Sequence, residues 1–399
     1  MRVPAWLLAV LLSTALSGSV ASAQAAPPDL RRLRDTVGLV LDAAVRDSVF
    51  PGAFAVIGTR ERVLVERAAG HLDWAPSPAP NDSTLWDLAS LTKVVALTTA
   101  MMQLCERGLV DLDAPVQRYL PAFQGPLKER VTVRHLLTHS SGLPGWRPLY
   151  LEGPTPDSIL ALVSATPLDT MPGAAMVYSD LGAILLGQIV VQLTGQPFDQ
   201  YVAERIFEPL GMRDTRFRPP QELWDRVAPT EVDTAWRKRQ VRGEVHDENA
   251  FALGGVSSHA GLFGSGRDMA RFARMLLGGG ELDGVKVVAP GTIAAFTALQ
   301  DSTLSHRALG WEKPNGRNSA GHRLSARAFG HTGFTGTSIW VDPGQDVFIV
   351  LLTNRVNPTR ARTGIAQVRV DLADAVVAMT SPLVSPSRLG SGARCSALR

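Results

Sequence analysis

Cysteine is almost missing from this 399-residue chain: Cys105 and Cys395 are the only two. That excludes a disulfide-stapled scaffold. Cys105 falls in an apolar helical stretch and reads as a core thiol. Cys395 falls in a tail, 381–399, rich in Ser, Gly, Pro and Arg, which reads as flexible, so the two are not expected to pair. Lysine is nearly as scarce, with five residues (Lys93, Lys128, Lys238, Lys286 and Lys313), and tyrosine scarcer still, with four. The net charge of +3 leaves no basic stripe. The one local cluster, Arg237-Lys238-Arg239 with Arg242, reads as a solvated turn, so no nucleic-acid partner is expected. Beyond the N-terminus no apolar run is long enough to cross a bilayer. A G-x-S-x-G elbow is absent, which argues against the hydrolase fold built on it. H-E-x-x-H is absent as well. His135 and His139 keep a helical spacing of four but lack the glutamate and a third ligand, so packing is expected there instead of metal. His246-Asp247-Glu248 and His259 are flanked by glycines and read as a loop beside a cleft. Neither a metal nor an organic cofactor is expected.

What is present fits a globular protein: 45% of residues are hydrophobic and 19% charged, enough to bury one large core or two smaller ones. Arg2, the apolar stretch Trp6 to Leu16 and Ala21-Ser22-Ala23 form the three parts of an export signal over 1–23. No cysteine follows that stretch, which argues against a lipid anchor. The expectation is a protein exported to the periplasm or the medium, starting near Gln24 or Ala26.

Helical spacing predicts an amphipathic helix over Leu30–Val45, and two strands follow at Ala53–Gly58 and Val63–Ala69. The middle reads as helical: Val133–Leu137 after a Thr132 cap, Asp157–Val163, Ala183–Thr194, Phe198–Phe207 and Arg267–Leu277. Near the C-terminus, Gly336–Val341 and Asp346–Thr353 read as a strand pair and Gly364–Met379 as a closing helix. This order predicts an α/β (α+β) architecture, one antiparallel sheet formed by both termini and flanked by helices, with an inserted, mainly helical part. The expected domain is 24–380, with the sheet body at about 30–85 and 295–380 and the helical part at about 86–294.

Ser90-Leu91-Thr92-Lys93 opens the apolar run Val94 to Leu104 and places a hydroxyl and an amine one helical turn apart. A serine hydroxyl becomes a nucleophile when a neighbouring base takes its proton, and free N–H groups in a first turn hold developing negative charge. Tyr178-Ser179-Asp180 precedes the helix at Ala183, and a phenol beside an ammonium can sit as phenolate or shuttle a proton. His331-Thr332-Gly333 sits directly before the strand expected from Gly336. Gly333 permits close approach to a substrate, and the N–H of Phe334 is a candidate second oxyanion donor beside that of Ser90.

Ser90-x-x-Lys93, Tyr178-x-Asp180 and His331-Thr332-Gly333, in that order, resemble the serine β-lactamase and penicillin-binding-protein superfamily, its class C branch with the related esterases and D-amino-acid peptidases above all. The stretch His135–Pro144 and the block from Ala228 through His246-Asp247-Glu248-Asn249 to Ser265 resemble the same group. The resemblance implies a β-lactamase-like fold, a Ser90 acyl-enzyme, Lys93 as proton partner, Tyr178 as general base, and substrate contacts from Asp180, His331, Thr332, Gly333 and Phe334. The implied substrate is a small ester or amide, a D-Ala peptide of peptidoglycan, or a β-lactam. Two departures shape that expectation. Asp180 stands where the family usually has Asn, adding negative charge beside Lys93, so its ammonium form is favoured and Tyr178 becomes the better base. His331 stands where a lysine usually supplies fixed positive charge, which a neutral imidazole does not. Ester or peptide cleavage is therefore expected ahead of β-lactam hydrolysis, with a slow-turnover penicillin-binding or sensor protein as the alternative.

Overall fold

The structure, a computed structural model, describes residues 29–380; the export signal over 1–23 and the tail over 381–399, with Cys395, lie outside the described residues. Helix α1 (Leu30–Arg46) starts on Asp29, whose carboxylate accepts the N–H groups of Arg31 and Arg32 at 3.1 Å. Its buried residues Leu33, Val37, Leu41 and Ala44 recur every three to four positions and form one stripe. Strands β1 (Gly52–Gly58) and β2 (Val63–Gly70) follow as an antiparallel pair.

The chain then leaves the sheet for helices α2 (Thr99–Glu106), α3 (Val133–Leu137), α4 (Pro156–Ala165), α5 (Asp180–Thr194) and α6 (Gly266–Leu277). It returns as β3 (Phe329–Thr332), β4 (Ser338–Asp342) and β5 (Val347–Thr353), and closes with α7 (Ile365–Thr380). The strands order as β3-β4-β5-β1-β2, antiparallel throughout, so N-terminal β1 lies beside C-terminal β5 with Ala55 opposite Leu351. One sheet is thus built from both ends of the chain.

Period-two alternation sorts the sheet's side chains into two cores. Phe54 and Val56 of β1, with Phe348, Val350 and Leu352 of β5, face the large core shared with the helical middle. Ala53, Ala55 and Ile57, with Val347, Ile349 and Leu351, face α1 and α7. Each large side chain removed from water in this way contributes about 1.5–3 kcal/mol. Among the described residues no single helix is long and apolar enough to cross a membrane.

Several expectations require correction. Residues His331 and Thr332 do not precede a strand; they end one of their own, β3, which pairs with β4 (His331 opposite Ile339). The following strand begins at Ser338, after a turn in which Gly336 has φ +111°. Ser90 and Lys93 do not open a regular α-helix: Ala89–Leu91 is a 3-10 turn, Lys93–Thr98 widens to π geometry, and only then does α2 begin. The helix expected over Phe198–Phe207 likewise passes into a π turn at Ala203–Phe207. Finally, Arg237 is not solvated. Its side chain is buried, ion-paired to Asp233 at 3.0 Å, and donates to the carbonyls of Val245 and His246.

Candidate active site

A short strand, Trp86–Asp87, pairs with Leu262–Gly264 and seats a buried carboxylate below Ser90. Asp87 Oδ1 accepts the N–H of Ala89 at 2.8 Å and Oδ2 accepts that of His246 at 2.6 Å. Burial pushes the Asp87 pKa up, while these two N–H groups and the His246 side chain oppose the rise. The bond to Ala89 helps hold that residue at φ +45°, a left-handed conformation costly for anything but glycine. Ser90 follows it, half-buried and lining a cleft of about 570 Å³.

Lys93 Nζ donates to Ser90 Oγ at 2.9 Å and to the His259 carbonyl at 2.8 Å, and lies 2.7 Å from Asp180 Oδ1 as an ion pair without hydrogen-bond alignment. Burial alone would strip its charge. The Asp180 carboxylate beside it, with the Tyr178 hydroxyl, outweighs that and holds the Lys93 pKa above the usual lysine value. Lys93 is therefore an ammonium donating to Ser90, which cannot accept the serine proton. Asp180 occupies the first turn of α5, where unpaired N–H groups favour a carboxylate.

Tyr178 sits two residues before α5, on a segment locked by Ser179. The Ser179 hydroxyl caps the helix by accepting the Gly182 N–H, donates to the Pro144 carbonyl at 2.7 Å, and its N–H donates to His139 Nδ1 at 3.1 Å. The phenol ring packs on His139 (centroids 4.5 Å apart), with Lys93 Nζ and the Arg307 guanidinium each 5.1 Å from its centroid. Burial pushes the Tyr178 pKa above its ordinary value, although Lys93 and Ser90 favour the anion. Its hydroxyl is buried with no aligned partner, a phenol facing Ser90 and Lys93.

The turn after β3 is clamped against the Ser90 loop. Thr335 Oγ1 donates to the Asp87 carbonyl at 2.7 Å, Thr337 Oγ1 to that of Leu88 at 3.1 Å, and Arg369 Nη2 to those of Gly333 and Thr337 at 2.8 Å. A Cβ on Gly333 would lie 2.6 Å from the Leu88 carbonyl, so only glycine permits this approach. Among the described residues neither the Ser90 nor the Phe334 N–H donates to any backbone acceptor outside the regular elements. Arg355 Nε fixes the Phe334 carbonyl at 2.9 Å, and its guanidinium stacks on the Phe334 ring, as does His246. Two free N–H groups flanking a serine oxygen can hold an oxyanion.

His331 is buried, with Nδ1 donating to the Thr332 carbonyl at 2.8 Å. Burial, then the Arg307 and Lys93 charges, hold its pKa well below the usual imidazole value. It is neutral, and its Nε2 is an acceptor with no partner. Across the cleft the histidines are bound: His246 Nε2 to Glu231 at 2.9 Å, and His259 Nε2 to Asp247 at 2.9 Å with Nδ1 to Ser257 Oγ at 2.7 Å. Asp180, Asp247 and His259 bring one ligand atom each within 4.8 Å of one another, the spacing of a cation site. Lys93 already supplies the positive charge there, being paired with Asp180 and helping, after His259, to depress the Asp247 pKa.

Ser90, Lys93, Tyr178, Asp180, His331 and Gly333 are thus brought together, and Thr332 and Phe334 line the same cleft. His135 is apart from it, completing the Thr132 cap of α3. Arg307, Glu312, Arg355 and Arg369 line the cleft and carry no motif that distinguishes them from the other arginines and glutamates of the chain.

Comparison with known proteins agrees with this geometry. The Beta-lactamase family profile matches residues 40–374. An N-acetylmuramyl-L-alanine amidase of Bacillus subtilis (strain 168) is 34% identical over 345 aligned positions, covering 77% of either chain. A putative D-alanyl-D-alanine carboxypeptidase of Salmonella schwarzengrund is 34% identical over 306, covering 68% of this chain and 70% of the relative. Among solved structures, a penicillin-binding protein homologue from Caulobacter crescentus superposes with a TM-score of 0.72 at 25% identity, over 89% of this chain and 99% of that one. On the family match and the 34% identical relatives together, the chain belongs to the Beta-lactamase family of serine hydrolases.

Proposed function

We propose that the protein is an exported amidase that releases alanine from a peptidoglycan-derived amide through an acyl-enzyme on Ser90. The observation that carries this reading is the Lys93 ammonium held 2.9 Å from Ser90 Oγ by Asp180, with the Tyr178 hydroxyl buried beside both. The substrate class is supported by the two relatives at 34% identity, whose names share one feature, an amide whose amine half is alanine.

The groups have separate tasks. Ser90 Oγ attacks the amide carbon, and the carbonyl oxygen moves between the N–H groups of Ser90 and Phe334. Lys93 stays charged throughout and lowers the energy of the developing alkoxide. Tyr178 starts as a neutral phenol, so it serves as a shuttle: it accepts the Ser90 proton and passes its own to the leaving nitrogen as the C–N bond breaks. Water then enters, gives a proton to Tyr178, and Tyr178 returns one to Ser90 Oγ as the ester opens. No group needs to ionise for turnover, so kcat is expected to be flat between about pH 6 and 9. A unit-slope rise over that range would instead make the phenolate the base.

The deciding measurement is chromatographic release of alanine from N-acetylmuramyl-L-alanine and from an acyl-D-Ala-D-Ala peptide, beside nitrocefin hydrolysis, with Ser90→Ala as control. Alanine release lost in Ser90→Ala is the expected result. Fast nitrocefin turnover with no alanine released would overturn the reading.

A further inference from the structure

Four polar atoms of the cleft are buried without a hydrogen-bond or ion-pair partner: Tyr178 Oη, His331 Nε2, Arg307 Nη1 and Arg369 Nε. Buried polar groups are rarely left in this state, and where several share one wall of a cleft a ligand is the natural partner. Three of the four converge. The Tyr178 and His331 rings are 5.7 Å apart, and the Arg307 guanidinium carbon is 5.1 Å from the Tyr178 centroid.

The convergence is built into the fold. Arg307 pairs in antiparallel fashion with Glu312, and Glu312 pairs in turn with Gly330, the neighbour of His331 in β3. Arg307 is thereby registered to the strand that carries His331. Its Nη2 is bound to Glu312 at 3.0 Å, and its side chain is only 9% exposed. One edge of the planar guanidinium is held while the Nη1 end is unsatisfied, a fixed cation with a donor to spare.

The three orphans differ in kind. Arg307 Nη1 is a charged donor, His331 Nε2 is an acceptor, and Tyr178 Oη delivers the proton to the leaving nitrogen. An α-amino acid leaving group matches all three: its N–H meets the imidazole lone pair, its nitrogen takes the phenol proton, and its carboxylate lies on the guanidinium. Resting on the amidase reading above, we propose that Arg307 is the specificity-determining cation of this site. It selects substrates whose amine half is a single amino acid with a free α-carboxylate, so that the enzyme trims a terminal alanine and does not cut within a longer peptide.

The test separates this inference from the amidase reading by using an activated bond. An N-acyl-D-alanyl thioester of thiolactate, with a free carboxylate on the leaving group, is compared with its methyl ester. Thioester cleavage needs a Ser90 acyl-enzyme but no ability to break an amide. In the wild type, kcat/KM for the free acid should exceed that for the ester at least tenfold; a ratio near one overturns the proposal whatever the protein does to amides. In Arg307→Gln the ratio should fall to near one, and in Arg307→Lys it should keep an intermediate value. A ratio held at the wild-type level in either variant also overturns it. Should Arg307→Gln fail to fold, the wild-type ratio and Arg307→Lys decide. A tenfold ratio with no alanine released from any amide would sink the amidase reading and leave the carboxylate site standing.

Discussion

The two walls of the cleft are built from the same residue types and differ in how their hydrogen bonds close. On one wall Glu231 accepts from His246 and Arg360, Arg360 reaches Glu248, and Asp247 holds His259, which holds Ser257. None of these side chains has a buried atom without a partner. On the other wall Tyr178, His331 and Arg307 each end in one. A closed network stiffens a loop and leaves a ligand little to gain, whereas an open one keeps its capacity for a substrate. Histidine or arginine beside a catalytic serine therefore says little by itself; the state of its last free atom separates scaffold from reagent.

Replacing Tyr178 by Phe gives the largest expected effect and tests the open wall. The lost hydroxyl carries proton transfer, so kcat for alanine release should fall about 10²–10⁴-fold. Since no hydrogen bond is broken, the melting temperature should stay within about 2 °C of wild type. A drop of many degrees would place the hydroxyl in the closed kind of network after all.

The complementary experiment breaks the closed wall. Glu231→Ala strands the His246 imidazole and the Arg360 guanidinium, and removing one partner of a largely buried ionic network costs about 2–4 kcal/mol. Thermal denaturation should report that loss as about 5–12 °C. Activity measured well below the transition should fall less than in Tyr178→Phe. If kcat collapsed instead with the fold intact, the assignment of the two walls would be reversed.

How far each wall could be read from the sequence follows from the physics of its signals. Ser90, Lys93, Tyr178 and Asp180 were legible because their meaning depends on local spacing before or within helical segments, and α5 and its neighbours announce themselves by periodicity. The two-faced alternation of β1 and β5 was equally plain. Strand β3 was not. Phe-Gly-His-Thr offers one apolar residue and a glycine, and it is a strand only because β4 and Glu312 supply its partners. Arg307 was hidden for the same reason: its importance arises from pairing across the chain, in a stretch with no period. The π widening after Lys93 also lacks a sequence mark, since every residue from Val94 to Thr98 is a plausible helix former packed in the core. Arg237 misled in the opposite sense, because a run of basic residues reads as solvated until Asp233 and two carbonyls close around one of them.

Acid titration sharpens the contrast at lower amplitude. Burial works against the Glu231 charge, but the bonds from His246 and Arg360 bring its pKa down to about 2 from an ordinary 4.5. A carboxylate depressed in the folded state adds stability that is fully present above the unfolded pKa and is lost as pH falls toward the folded one. Melting temperature should therefore decline between about pH 4.5 and 2, and Glu231→Gln should flatten part of that decline. An unchanged slope in the variant would remove Glu231 from the acid-labile group and leave Asp247, depressed by His259, to account for it.

The smallest expected effect concerns Ala89, which belongs to neither wall and aims Ser90 between them. Substituting glycine relieves about 1–2 kcal/mol of left-handed strain at φ +45°. It also gives the unfolded chain more freedom, at a cost of about 0.5–1 kcal/mol, and deletes a buried methyl that contributes about 0.8 kcal/mol. These terms nearly cancel, so the melting temperature of Ala89→Gly should lie within about 2 °C of wild type. Activity is not obliged to cancel with them. The Asp87 carboxylate would still accept the residue-89 N–H, but the backbone beyond it would no longer be restricted by a side chain, and Ser90 Oγ would sample more positions relative to Lys93 and Tyr178. A loss in kcat of about three- to tenfold at unchanged stability is the result expected if the strained alanine serves to aim the nucleophile. Unchanged kcat would mean that Lys93 and the packing below Ser90 aim it without help from the strained turn.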